Sequence, residues 1–389
     1  MPAIVVIGYR DDLDRAVRNR GLDPFYIVQS PAVPPQGIDH RVVADIENAH
    51  EILRAVLSAP SLRLDDVVGV LSVHEMGVFG AAYLRRQLGL PGNADSMKVL
   101  RFRDKYLQKS GLPPHIRRAR CRYVTADTSF EELTAEFGDV FVVKPANGGG
   151  SLRTTIVRSR QDFKEALGPF PTRSDVAAVA ESFVDAPEIY VDGVWGGGAL
   201  RWSTLVRYHA SPLSAAQGGI MAAYILDRRL HPELFQQAEN LTEQVLSSLE
   251  APDCVFHLEI FAEEDGLTFG ECALRLPGGL SPRSNELTFG VNLFDVEIGL
   301  ALGEGVPEIR ATETPERFHG HILLRASSDG TLTRADFERT FDIDEMDYSA
   351  SPDARVGPYG MVGYAIVSDP DESTLQKKIE DIVRFNEVS

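Results

Sequence analysis

Along its first hundred residues the chain alternates short apolar runs with stretches in which apolar residues recur every three or four positions. AIVVIG, FYIVQ and VVGVLSV read as strands; the amphipathic stretch through Leu22, ENAHEILRAVLSA and HEMGVFGAAYLRRQLGLPG read as helices. Strands alternating with helices predict a parallel α/β sheet. The last of these helices closes on Gly-Leu-Pro-Gly, a helix stop followed by a turn, which sets a first boundary near Asn93. An α+β stretch follows: one helix over SMKVLRFRDKYLQKSGLP, a strand around RYVTA, a helix near SFEELTAEFG, and a hairpin in VFVVKPANGGGSLRTTIVRS, where two β-rich runs flank a glycine loop. From Ala177 the pattern turns mostly to strands, VAAVAESFV, EIYVDGVWGGGALRWSTLVRY and CVFHLEIFAEEDGLTFGECALRL, interrupted by a helix over ELFQQAENLTEQVLSSL. They read as one large antiparallel sheet. Beyond the helix VNLFDVEIGLALGE the tail gives short strands, HGHILLRA and GMVGYAIVS, and a last amphipathic helix, STLQKKIEDIVRF.

At 389 residues the chain exceeds what one core usually covers, so two or three lobes are expected, and 43% hydrophobic residues can fill them. A formal charge of -18 excludes a nucleic-acid partner, because gripping a polyanion takes clustered Lys and Arg that are missing here. Small molecules are the expected partners, and a homodimer stays open. MPAIVVIGY lacks the basic start of a signal peptide, and no apolar run approaches the roughly 18 to 20 residues that span a bilayer. No membrane association is expected, and the cytoplasm is the expected location. Cys121, Cys254 and Cys272 have neither metal-ligand spacing nor an even count, and read as small core residues.

Of 39 Lys and Arg only seven are Lys, which makes each interior lysine more telling. FVVKPANGGGS places Lys144 at a strand end and a Gly/Ser run directly after it. Glycines let backbone N–H groups approach phosphate oxygens, and the lysine adds a point charge. Because a strand follows, this is neither a P-loop nor a Rossmann fingerprint. Taken alone, the motif also fits a solvent-exposed turn. Glu259 in FHLEIF and Glu271 in TFGECALRL lie on adjacent apolar strands joined by AEEDG, where an acid is costly to bury unless it is paired or binds a metal. Two such carboxylates suit Mg²⁺, which commonly joins one or two of them to nucleotide phosphates. Arg275 follows on the same face, so a structural ion pair stays open. In AESFVDAPEIYV, Glu181 ends one strand and Glu188 begins the next.

The order of these elements resembles the ATP-grasp superfamily nearly from end to end, and within it the carboxylate-amine ligase branch that includes L-amino acid ligases. The Arg-Asp-Lys helix ending in Gly-Leu-Pro is its most specific piece. The resemblance implies a preATP-grasp α/β domain over 1–95, a small nucleotide-binding lobe over 96–184, and a large antiparallel lobe with the metal site over 185–389. It implies that Lys105 and Lys144 reach ATP phosphates; the neighbouring Lys98 and Lys109 are expected to tolerate replacement by Ala without loss of turnover. Gly148, Gly149, Gly150 and Ser151 match the loop that closes over the phosphates. Glu181 and Val184 would sit beside the adenine and Glu188 on the ribose; Glu259 and Glu271 would carry Mg²⁺; Arg275 would steady an acyl phosphate. The tail from VGPYGMVGYAIVS onward resembles the end of the ligase branch. One departure stands out: the usual Glu-x-Asn-x-Arg metal strand has Ala273 in its middle position, which removes one oxygen ligand unless water or Asn285 replaces it.

The implied reaction is ATP-dependent amide or peptide bond formation on amino-acid or peptide-like substrates. Alternatives are a carboxylase or purine-pathway ATP-grasp enzyme, and a nucleotide-binding module without turnover. His209 and His257 are candidates for a general base, and RYHASPLSAAQGG for the wall of an acceptor pocket, although a surface loop fits that segment equally.

Overall fold

The computed structural model describes residues 1–30, 34–125, 127–168, 177–327, 331–349 and 360–387. Residues 356–359, part of the tail that resembles the ligase branch, lie outside the described residues.

The first unit runs β1 (Ala3–Ile7), α1 (Asp11–Asn19), β2 (Asp23–Gln29), β3 (His40–Val43), α2 (Ala49–Leu57), β4 (Val67–Ser72) and α3 (Val78–Leu88). Its four strands form a parallel sheet in the order β3-β2-β1-β4. All five residues of β1 are buried, as a parallel strand covered on both faces requires. Ile52, Val56, Ala81 and Leu84 of α2 and α3 fill one side, and Leu13 and Val17 of α1 fill the other. Sequence reading omitted β3, because HRVV is too short and too polar to stand out from a loop.

The single helix expected over SMKVLRFRDKYLQKSGLP is two: α4 (Ser96–Arg103) and α5 (Lys105–Gly111). Asp104 separates them with extended backbone, and its carboxylate caps α5 through the Leu107 N–H at 2.9 Å. An Asp favours a cap over a helix interior. The break sets Lys105 at the first position of α5. Next come β5 (Cys121–Val124), α6 (Phe130–Phe137), β6 (Phe141–Pro145), β7 (Thr155–Val157), α7 (Arg160–Leu167) and β8 (Ala178–Ser182). β6 and β7 form the expected hairpin. β8, which the strand pattern alone ran into the large sheet but which falls within the 96–184 span of the small lobe, inserts between β5 and β6 in a small antiparallel sheet, β5-β8-β6-β7.

The large antiparallel sheet is borne out with eight strands. It is built from β9 (Glu188–Gly196), β10 (Ala199–Tyr208), α8 (Pro212–Ala216), β11 (Met221–Ile225), α9 (Pro232–Ser248), β12 (Cys254–Glu263), β13 (Gly266–Ala273), α10 (Ser281–Phe289), α11 (Leu293–Ala301), β14 (Phe318–Leu324), α12 (Arg334–Thr340), β15 (Glu345–Tyr348), β16 (Gly363–Asp369) and α13 (Glu372–Glu387). The strand order is β13-β12-β9-β10-β11-β14-β16-β15. Leu375, Ile379 and Ile382 of α13 are fully buried in its core, each contributing about 1.5–3 kcal/mol. Leu293, Phe294 and Val296 of α11 join the core of the parallel sheet, which ties the first unit to the large one. Among the described residues no helix is long and apolar enough to cross a membrane.

Candidate functional site

Three strands of the large sheet lay a grid of polar side chains across one face. On β12, Glu259 stands opposite Glu271 of β13 and Tyr190 of β9; His257 stands opposite Ala273 and Asp192; Phe261 faces Glu188. Residues opposite one another on antiparallel strands project to the same side, so the two acids meet as expected. A β-bulge shifts the register between Glu259 and Ile260, leaving Gly270 as the extra residue. A Cβ there would meet the Glu259 carbonyl oxygen at 2.9 Å, so the close approach needs glycine.

Lysines from the other elements converge on these acids. Lys105 Nζ lies 3.0 Å from Glu271 and donates to the Gly148 carbonyl at 2.8 Å. Lys144 Nζ lies 2.8 Å from one Glu181 oxygen, and Lys109 Nζ 2.7 Å from the other. Burial works against ionisation of Glu181, but the two ammonium groups overcome it and hold the carboxyl at about 2. Burial opposes the Glu271 charge as well, and Lys105 and Lys144 hold its pKa below the ordinary range. Burial also opposes the charge on Lys144, yet Glu181 and Glu271 keep its pKa above the usual lysine value. Among the described residues Glu188 makes no ion pair, and Lys144 offsets its burial only in part. Burial, reinforced by Glu259 and Glu271, pushes it up to about 8.

A cavity of about 270 Å³ opens between the small sheet and this grid. Lys105, Lys144, Gly148, Gly149, Ser151, Glu181, Val184, Glu188, Glu259 and Glu271 all line it. Gly150 and Arg275, named with them from sequence, do not line it. Gly150 still shapes the loop, since its φ of +63° is left-handed backbone. The segment after β10 brings Ser211 and Leu213 to the cavity wall, whereas His209 does not line it.

Arg275 pairs with the half-buried Glu75, and its Nη1 donates to the Leu276 carbonyl at 2.8 Å. Glu75 also accepts from Arg103 at 2.9 Å, and Arg103 in turn bonds the Asn147 carbonyl at the start of the glycine loop. Burial opposes the Glu75 charge, yet the two guanidinium groups keep its pKa low. Arg275, just after β13, is thereby tied to the first unit and to the glycine loop that lines the cavity.

Glu259 and Glu271 offer neighbouring hard oxygens at the cavity wall, and among the described residues no group of three or more His, Cys, Asp or Glu could hold a metal. Two carboxylates with room for water and phosphate fit Mg²⁺. Asn285 does not approach from a loop: it lies fully buried in α10, donating to Asp192 at 3.2 Å, so it braces that acid instead of replacing the missing ligand. His257 is equally engaged, with Nδ1 2.7 Å from Asp192. Burial alone would lower its pKa, but Asp192 and Glu259 raise it to about 9, which unsuits it as a neutral-pH base.

Sequence reasoning passed over Lys109, Glu75 and Asp192. Lys109, expected to tolerate replacement, is 3% exposed and also donates to the Gly270 carbonyl at 2.9 Å. Its spacing four residues after Lys105 was the available signal. Asp192 sits inside the apolar run EIYVDGVWG, the same signal that singled out Glu259.

No protein-family model matches the chain. It is 22% identical over 276 residues, 68% of its length, to an L-arginine-specific L-amino acid ligase of Bacillus subtilis, and it spans 64% of that ligase's length. It is 26% identical over 398 aligned positions to an uncharacterized protein of Sinorhizobium fredii, covering 94% of this chain and 78% of the other. Among solved structures, an L-amino acid ligase from Bacillus licheniformis superposes with a TM-score of 0.75 at 17% identity, covering 99% of this chain and 98% of the other. A carboxyaminoimidazole ribonucleotide synthase from Aspergillus clavatus, complexed with ATP, gives 0.76 at 16% identity, covering 99% of both chains. These neighbours share one fold, the one that the motif order implied.

Proposed function

We propose that this chain, an ATP-grasp protein by its fold, is an ATP-dependent carboxylate-amine ligase acting on amino-acid or peptide-like substrates. The observation that carries the reading is the convergence of Lys105 and Lys144 with Glu259 and Glu271 on one cavity that the glycine loop also lines. Its three working units are 1–95, 96–184 and 185–389. ATP lies between the small sheet and the grid, with Glu181 and Val184 beside the base, Glu188 on the ribose, and Gly148 to Ser151 over the phosphates. Glu259 and Glu271 hold Mg²⁺, which neutralises phosphate charge when bound.

A carboxylate is a poor electrophile. Its oxygen attacks the γ-phosphorus of ATP, the bond to the β–γ bridging oxygen breaks, and ADP leaves. Such phosphoryl transfer is catalysed mainly by positioning and by neutralising charge, the roles of Lys105 and Lys144. Arg275 is given the acyl phosphate by the resemblance; its guanidinium pairs with Glu75 and lies outside the cavity lining. The amine nitrogen then attacks the acyl carbon, its C–O bond to phosphate breaks, and the nitrogen loses a proton as the amide forms. Similarity to L-amino acid ligases of Bacillus supports amino-acid substrates for this chain.

A phosphate-release screen of amino-acid pairs, with mass spectrometry of the products, tests this. ADP appears only with an acid present, and hydroxylamine traps the activated acid as a hydroxamate. AMP as the nucleotide product, or turnover with bicarbonate alone, would overturn the assignment.

A further inference from the structure

We infer that His257, seated by Asp192, is a positioning residue that aims Glu259 at the metal and phosphate site, in the place that the small Ala273 leaves open. The inference rests on the ligase reading above. Ala273, His257 and Asp192 are direct cross-strand neighbours on β13, β12 and β9, so their side chains share one face. An amide at position 273 would project within about 5 Å of the imidazole and compete for its space.

The ring is held on several sides. Its Nδ1 lies 2.7 Å from Asp192 Oδ1, and the Tyr190 ring packs against it with centroids 4.7 Å apart. Asp192 is itself fully buried and fixed: its second oxygen accepts from the Ser281 hydroxyl and, at 3.2 Å, from Asn285. The Tyr190 hydroxyl bonds Ser281 at 3.1 Å, which closes the network. A ring so fixed presents Nε2 at 3.5 Å from Glu259 Oε1, and the Tyr208 hydroxyl donates to the same oxygen at 3.4 Å. Both contacts fall on Oε1. Among the described residues no contact falls on Oε2, which leaves that oxygen for a ligand in the cavity that Glu259 lines. Partners that orient a metal-ligating carboxylate are typically worth 10–100-fold in metal affinity. In this chain such a partner stands where a third oxygen ligand is missing.

The test is ADP binding to the full chain, read by calorimetry with and without Mg²⁺. His257→Ala should raise the Mg²⁺ concentration for half-maximal enhancement of ADP binding about 10-fold or more, while the metal-free ADP affinity stays within twofold. Adding Ala273→Asn to His257→Ala should recover metal affinity, because the amide then has both a role and the space. Should His257→Ala fail to fold, His257→Phe keeps the bulk of the ring while removing the nitrogen that faces Glu259, and should give the same metal-specific loss. An unmoved Mg²⁺ dependence in the folded variant overturns the inference. So does an equal loss of metal-free ADP binding, which is what a merely structural histidine would give. If the wild-type chain binds no ADP, the ligase reading itself falls, and this inference with it.

Discussion

Replacing Lys109 by Met removes an ammonium group from a site that is 3% exposed, while keeping its bulk. The cost is therefore electrostatic. Glu181 retains Lys144 at 2.8 Å, but its other oxygen loses a donor at 2.7 Å and the bulge carbonyl of Gly270 loses one at 2.9 Å. A buried polar group left without its partner costs about 1–3 kcal/mol, and removing one member of a buried ion pair about 3–5 kcal/mol. Because Lys144 stays, the lower part of the second range applies. The expected destabilisation is about 3 kcal/mol, roughly a hundredfold in the folding equilibrium. Urea unfolding followed by circular dichroism measures it. Lys98→Met serves as the control, since Lys98 is only half-buried and has no side-chain ion pair among the described residues; it should stay within about 0.5 kcal/mol.

The same substitution should change the acid limb of the stability curve. Glu181 sits at about 2 in the fold against an ordinary value of 4.5, so its ionised form stabilises the protein above pH 4.5, and that contribution disappears as pH falls from 4.5 towards 2. Without Lys109 the depression shrinks and the loss across this interval becomes shallower. A Lys109→Met protein as stable as Lys98→Met, with an unchanged acid limb, would refute the reasoning.

Lys105→Ala and Lys144→Ala should each lower turnover at least roughly a hundredfold, about 3 kcal/mol of barrier, in a phosphate-release assay, because on the proposed reading each removes a charge that neutralises the transferring group. Glu271→Gln should abolish turnover at ordinary Mg²⁺; full activity there would remove the metal assignment. Glu188 binds its proton more tightly in the fold, at about 8, than in the unfolded chain, at 4.5, so stability of the nucleotide-free protein falls as pH rises from 4.5 and the loss is complete above about 8. Glu188→Gln should flatten thermal stability over that interval when unfolding is followed in chelator, and an unchanged slope would contradict the burial of this acid.

What the sequence makes legible divides along a physical line. Elements with strong periodicity, and acids inside apolar strands such as Glu259 and Glu271, announce themselves, because burying a charge in a strand demands an explanation. The helix break at Asp104 and the transfer of β8 to the small sheet do not, since a local pattern says what an element is and not which neighbour it pairs with. Lys109 shows the sharper limit. On paper it is one more polar residue in a helix, as exposed in prospect as Lys98, and only the tertiary fold brings Glu181 from β8 and the Gly270 bulge from β13 to its ammonium group. The two lysines on α5 then have separate tasks. Lys105 faces Glu271 and the cavity; Lys109 neutralises the buried Glu181, whose other oxygen anchors Lys144. Removing the negative Glu181 would leave the buried Lys109 ammonium beside that of the half-buried Lys144, so the carboxylate is what allows Lys144 to be held, charged, at the cavity wall.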